Sequence, residues 1–136
     1  MNSVNVMGRL VKNPEMKTFI NDMGEEFKVI TYRLAVNRGY KDKNGEQVVD
    51  FLWIKALNSK ADFAKKYFKK GKRVAVTGRS QVDVIDNDNG TRTYFNYIYV
   101  EMQYFADGNN QPTAEQEIEA DENEFNEVRD GEYTAF

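Results

Sequence analysis

The chain has 136 residues, 13% of them aromatic, and a net charge of −3. It contains neither cysteine nor histidine, which excludes a disulfide framework, a thiolate site and the commonest general base. No run of about 18 apolar residues marks a membrane span. Because the N-terminus also lacks the pattern of a signal peptide, we expect a cytoplasmic protein.

The charge is divided unevenly along the chain. Residues 1–106 carry 18 basic and 12 acidic side chains, a net +6, whereas residues 107–136 carry 1 and 10, a net −9. Such asymmetry is typical of a polyanion-binding domain with a charged tail. We therefore predict a folded domain over residues 1–106 and an acidic tail over residues 107–136.

Three runs with the alternation of β-strands come first: VNVMGRL at 4–10, EFKVITYRLAVNRGY at 26–40 and DFLWIKAL at 50–57. In the third run Leu52 and Ile54 suit a core, so Phe51, Trp53 and Lys55 should face outward. Two interpretations of that outward face stay open. It binds a ligand, or it is covered by a subunit interface or by a helix.

A helix is predicted next, over NSKADFAKKYFKKGK at 58–72. Ser59 is the expected N-cap, Asp62 the capping-box acid and Gly71 the residue after the C-cap. Two long β-rich runs follow, KRVAVTGRSQVDVI and TRTYFNYIYVEMQYF, and the DNDNG turn between them predicts a hairpin. We interpret Asp83, Asp86 and Asp88 as turn and edge residues of this hairpin.

The order of three strands, one helix and two strands predicts an all-β protein. It fits a five-stranded OB-fold barrel with one helix between strands 3 and 4. After Ala106 the apolar pattern stops. Low hydrophobicity with high net charge predicts a disordered tail, with an amphipathic helix over residues 114–128 as the alternative.

Motifs for catalysis are missing from the sequence. There is no glycine-rich phosphate loop, and no serine or threonine has a histidine to activate it. We predict no catalytic residue, no cofactor and no metal.

Basic residues interleaved with aromatic ones remain, on the predicted strands and on the NRGYKDKNGE arm. Flat rings stack on bases and cations neutralise phosphates. The pattern therefore indicates binding of single-stranded nucleic acid.

Four segments, in this order along the chain, resemble the single-stranded-DNA-binding proteins of bacteria and phages: MNSVNVMGRLVKNPEMK, LAVNRGYKDKNGE, DFLWIKAL and ADFAKKYFKKGKRVAVTGR. The resemblance implies an OB barrel, usually a homotetramer. It also implies sequence-independent binding of single-stranded DNA in replication, recombination and repair. An RNA-binding OB protein of cold-shock type and an enzyme or inhibitor on the same barrel are the alternatives.

The resemblance also implies particular site residues. Bases stack on Tyr40 and Phe51, while two further stacking positions fall on Leu57 and Ile85, which are not aromatic. Trp53 stands where the family often has arginine. We expect the stacking platform to be partly redistributed, with Tyr94 compensating from across the hairpin for the two positions that are not aromatic. The full predicted DNA-binding set is Arg9, Arg33, Arg38, Tyr40, Lys41, Lys43, Phe51, Trp53, Lys55, Leu57, Arg79, Ile85, Arg92 and Tyr94.

The acidic tail has a counterpart in the same family. There, an acidic-hydrophobic tip that closes on phenylalanine recruits replication and repair proteins and competes weakly with DNA. The matching tip residues are Glu132, Tyr133 and Phe136. The tip GEYTAF departs from the common bacterial version, which favours a phage or mobile-element origin.

Overall fold

The computed structural model describes residues 1–107. Its elements are β1 (Val4–Leu10), β2 (Glu15–Ile20), β3 (Glu26–Lys41), β4 (Gln47–Leu57), α1 (Asn58–Tyr67), β5 (Arg73–Asp86) and β6 (Arg92–Phe105). Five strands close into a ring in the order β1-β5-β6-β4-β3, because β1 also pairs with β3. The predicted five-stranded OB-fold barrel is confirmed, with the helix after the third strand of the ring.

β2 is a sixth strand that the sequence analysis did not predict. It pairs only with the first part of β3, from Glu26 to Thr31, while β1 takes the same edge of β3 further along, at Leu34 and Ala35. β2 therefore lies beside the ring and does not belong to it. Because only Met16 of β2 is partly buried, the sequence of this strand does not show the alternation of buried and exposed residues that predicts the other strands.

The core is formed by the inward faces that alternation predicts. Residues with at most 2% exposure include Leu10, Ile30, Leu34, Ile54, Ala56, Val74, Val76 and Val100. α1 closes one end of the barrel with Ala61 and Ala64, followed by Phe68. Tyr32 joins this core, and its hydroxyl donates to Gln103 Oε1 at 2.7 Å. Burial raises the pKa of the Tyr32 hydroxyl.

The predicted helix ends are wrong. β4 runs directly into α1, so the N-cap is Leu57, without a side-chain cap, and the helix ends before Phe68. Asn58 makes the sharp turn with a positive φ of 51°, which asparagine tolerates better than most residues. Asp62 makes no capping box and pairs instead with Lys28, Nζ to Oδ1 at 3.0 Å. Gly71 lies in the turn beyond the helix, where its N–H donates to Leu10 O.

Two β-hairpins reach beyond the barrel. The β5–β6 pair keeps its register from Arg79↔Tyr99 to Asp86↔Arg92, as the predicted long hairpin requires. β3 and β4 form the second arm, which is closed by the turn between Asp42 and Glu46.

The predicted tail beyond residue 107 lies outside the described residues. Within residues 1–107, no helical segment has both the length and the apolar character that crossing a bilayer demands.

Candidate nucleic-acid interface

The outer face of β4 carries Phe51, Trp53 and Lys55, as alternation predicts. Arg33 of β3 is in register with Trp53. Its Cζ lies 5.1 Å from the ring centroid of Phe51 and 5.3 Å from that of Trp53. Both rings are partly buried, and this guanidinium covers part of their surface.

β5 and β6 continue the same surface. Lys55 Nζ lies 4.4 Å from the ring centroid of Tyr97 and 5.2 Å from that of Phe95. The Phe95 and Trp53 centroids are 5.9 Å apart. Cations at these distances are attracted to the ring faces, so each cation is held beside a flat apolar surface.

Arg79 extends the pattern along the hairpin, with its Cζ 4.9 Å from the centroid of the Tyr99 ring. We refer to this surface as the aromatic–basic face. Its members are Arg33, Phe51, Trp53, Lys55, Arg79, Phe95, Tyr97 and Tyr99.

The aromatic–basic face also contains a carboxylate. Asp83 Oδ2 lies 3.4 Å from Lys55 Nζ, and Tyr97 Oη donates to Asp83 Oδ1 at 3.2 Å. The Tyr97 hydroxyl is also 2.9 Å from the side-chain amide of Gln81. Burial raises the pKa of Tyr97, and the negative charge of Asp83 adds to the effect.

Arg38 and Tyr40 form a separate cluster. Arg38 donates to both carboxylate oxygens of Asp50, at 2.7 and 2.8 Å, and its Nη1 donates to Tyr40 Oη at 3.1 Å. The bonds from Arg38 hold the pKa of Asp50 below its usual value. Asp50 precedes Phe51 in β4, and successive side chains of a strand point to opposite faces. The cluster therefore lies on the other side of the β3–β4 arm.

Tyr94 does not lie on the aromatic–basic face. It is in register with Val84, so alternation places both on the opposite face of the hairpin from Phe95. Arg92 is on that opposite face too, where its Nε lies 3.0 Å from Asp86 Oδ1. The ring that packs near Trp53 is Phe95, with centroids 5.9 Å apart, whereas Tyr94, the residue expected to compensate for the non-aromatic Leu57 and Ile85, lies on the other face of the hairpin.

The other predicted residues are spread around the barrel. Ile85 is exposed on the aromatic–basic side of the hairpin, beyond Phe95. Arg9 is in register with Ala35 of β3, and its Nη1 donates to Gly71 O at 3.0 Å. Leu57 is the N-cap of α1. Lys41 and Lys43 are exposed near the tip of the β3–β4 arm. The tip residues Glu132, Tyr133 and Phe136 lie outside the described residues.

Sequence reasoning missed Phe95, Tyr97 and Tyr99. Their signal was present, because they alternate with Ile98 and Val100, which are buried in the core. Applying the same alternation argument to this strand as to β4 places them on the outer face, where Tyr97 is buried to 9% exposure and lies under Lys55. Within residues 1–107, no group of three acidic, histidine or cysteine side chains has an arrangement that suits a metal ion.

Comparison with known proteins gives consistent matches. The model of the Single-strand binding protein family matches residues 1–106. Single-stranded DNA-binding protein 3 of Clostridium acetobutylicum is 37% identical over 107 residues, covering 79% of this chain and 72% of that protein. A single-stranded DNA-binding protein of Streptococcus pneumoniae is 33% identical over 101 residues, 74% of this chain and 62% of that protein. One from Caldanaerobacter subterraneus is 32% identical over 127 residues, 89% of this chain and 82% of that protein.

Proposed function

The chain belongs to the single-strand binding protein family, and from that premise we propose that it binds single-stranded DNA with little regard to base sequence. The observation that supports this most is the aromatic–basic face, where three cations lie against five aromatic rings. The family match also indicates that the chain is not an enzyme.

The two side-chain types divide the work of binding. Rings such as Phe51 and Phe95 stack on any base, which is worth ~1–3 kcal/mol per base. Arg33, Lys55 and Arg79 neutralise phosphates and release counterions, so affinity falls as salt rises. Neither term reads base edges, and binding is therefore nearly blind to sequence.

We further propose that the protein coats single strands during replication, recombination and repair in the cytoplasm of a bacterial host. Its acidic segment recruits partner proteins through Glu132, Tyr133 and Phe136. The support for these roles is the family resemblance together with the acidic composition of residues 107–136, which carry ten acidic side chains and one basic. The divergent tip favours a phage-encoded member with its own partners.

A homo-oligomer, a tetramer by resemblance, is part of the same proposal. β1 pairs with β5 over Val4–Arg9, but with β3 only at Arg9 and Leu10. Within residues 1–107, the edge of β1 from Val4 to Gly8 thus has no strand partner on its second side. Such an edge favours pairing with another chain, and Met7 on this strand is 55% exposed.

Fluorescence anisotropy with labelled oligonucleotides tests the proposal. We expect the highest affinity for oligo-dT, similar affinities for single strands of mixed sequence, and a common decline with salt. Tighter binding to an RNA of the same length would support the cold-shock-type alternative. Tighter binding to a duplex would contradict single-strand binding.

A further inference from the structure

One carboxylate lies within the aromatic–basic face, where a polyanion has to approach. Asp83 is 3.4 Å from Lys55 Nζ and accepts a hydrogen bond from Tyr97. The side chain of Asp83 is 49% exposed and that of Lys55 26% exposed. Lys55 therefore meets DNA already paired with an anion of its own chain.

The pairing reduces what a phosphate gains at this position. A phosphate that contacts Lys55 must share the ammonium with Asp83, and the two negative groups repel each other. Exposed ion pairs are weak, so the exchange is feasible, but its net gain is small. Stacking on Phe95 needs no such exchange, because a base carries no charge.

Single and double strands differ in which of these two terms they use. Both present phosphates, and a duplex presents them densely, with one charge per about 1.7 Å of its axis. Only unpaired bases can stack on protein rings. A group that weakens the phosphate term and leaves the stacking term intact therefore disfavours the duplex more.

We propose that Asp83 is a specificity-determining residue, which favours single strands over duplex by neutralising Lys55 at the centre of the aromatic–basic face. The inference rests on the proposed function and identifies a source of its selectivity. Asp83 acts through Lys55, so its effect should appear in the salt dependence of binding as well as in the affinity.

The test is Asp83→Asn in the full chain, with labelled oligo-dT and a duplex of the same length titrated over a range of salt concentrations. We expect oligo-dT affinity to rise about two- to fivefold, the scale of an exposed ion pair. Duplex affinity should rise by more. The salt slope for oligo-dT should steepen by about 0.7, as expected for one more neutralised phosphate on a single strand.

Asp86→Asn is the matched control. It removes the same charge three positions along β5, from the opposite face of the hairpin, where Asp86 pairs with Arg92. This variant should keep the wild-type ratio of single-strand to duplex affinity. If the two variants change the ratio of single-strand to duplex affinity equally, the effect comes from the net charge of the protein and the inference is overturned.

Lys55→Gln, alone and combined with Asp83→Asn, tests whether Asp83 affects DNA binding through Lys55. If Asp83 acts through Lys55, the gain from Asp83→Asn disappears when Lys55 is absent. Weaker oligo-dT binding by Asp83→Asn would mean that the carboxylate positions the site, which contradicts the inference. If the wild-type protein binds oligo-dT but Asp83→Asn leaves the ratio of single-strand to duplex affinity unchanged, this inference alone is overturned. No wild-type binding of oligo-dT overturns the proposed function as well.

Discussion

Phe95 and Tyr94 are neighbours in β6 with opposite surroundings. The Phe95 ring packs near Trp53 and Tyr97, with centroids 5.9 and 5.8 Å away, whereas Tyr94 is 56% exposed on the other face of the hairpin. The pair therefore separates an aromatic ring at the proposed interface from one outside it.

We predict that Phe95→Ala weakens binding to oligo-dT by ~1–3 kcal/mol, the usual value of one stacking ring. Tyr94→Ala should leave the affinity close to that of the wild type, because its ring lies on the opposite face. Anisotropy titrations of both variants measure the difference. Equal losses, or a larger loss for Tyr94→Ala, would contradict the assignment of the face.

Tyr32 gives a prediction for alkaline pH. Burial raises its pKa above the ordinary tyrosine value of 10.0. Below pH 10 the hydroxyl is protonated in both the folded and the unfolded state, so its contribution to stability is constant. Above pH 10 the unfolded state loses the proton first, and the free energy of unfolding falls as pH rises.

Tyr32→Phe should therefore flatten the fall in stability above pH 10. At pH 7 it should cost about 1 kcal/mol, because the hydrogen bond to Gln103 is lost. Urea unfolding at neutral and alkaline pH measures both effects. Tyr104→Phe, which removes an exposed hydroxyl, is the control, and an identical alkaline slope in the two variants would disprove the role of Tyr32.

At the scale of elements, alternation within a strand was enough to predict the barrel. Leu52 and Ile54 identified the inward face of β4, and the turn residues identified the β5–β6 hairpin. β2 was missed because it pairs along one edge and buries little. The predicted helix boundaries were wrong because β4 continues into α1 without a connecting loop. The capping residues in the sequence do not indicate such a direct connection.

The candidate site could be predicted only in part, for the same reason. Phe51, Trp53 and Lys55 follow from one strand alone. The pairing of Lys55 with Asp83, 28 positions later in the chain, depends on how the barrel closes. The position of Arg38 on Asp50 depends on the register of the β3–β4 arm. Alternation within one segment cannot predict either of these two ion pairs.

Gly78 provides a test of how the β5–β6 element is built. The register of the hairpin shifts between Thr77 and Gly78, and a Cβ on Gly78 would collide with the backbone carbonyl of Tyr99. We predict that Gly78→Ala lowers the free energy of unfolding by about 3 kcal/mol or more, because backbone must move.

Gly45→Ala is the comparison for Gly78→Ala. Gly45 has a positive φ of 80°, but a methyl group added there would meet open space, so the cost should be only about 1 kcal/mol. Urea denaturation of the two variants measures the difference. If Gly78→Ala lowers the free energy of unfolding by less than Gly45→Ala does, the close approach of β5 to β6 at Gly78 does not require glycine.

For the whole molecule, the division of charge is the main feature. Residues 107–136 carry ten acidic side chains and one basic, against a net +6 in residues 1–106. The first of those acidic residues, Asp107, contacts the barrel. Its Oδ2 accepts a hydrogen bond from the Arg73 N–H at 3.2 Å, and its Oδ1 is 3.9 Å from Arg9 Nη1. The best point for truncation is therefore after Asp107.

We predict that removing residues 108–136 leaves the barrel folded and tightens DNA binding, most strongly at low salt. A tethered acidic segment competes with phosphate at high local concentration, and salt screens that competition. Cooperative unfolding and oligo-dT affinity at two salt concentrations measure the result. Weaker DNA binding or a loss of cooperative unfolding in the truncated protein would contradict the prediction.

The central claim is that single-stranded DNA binds on the aromatic–basic face, and the chain's only tryptophan lies within it. The most direct test is Trp53 fluorescence during an oligo-dT titration, with anisotropy of the labelled oligonucleotide recorded in the same samples. We predict a saturable change in Trp53 emission that follows the anisotropy curve. An unchanged Trp53 spectrum at oligo-dT concentrations where the anisotropy shows full binding would place the DNA elsewhere and contradict the claim.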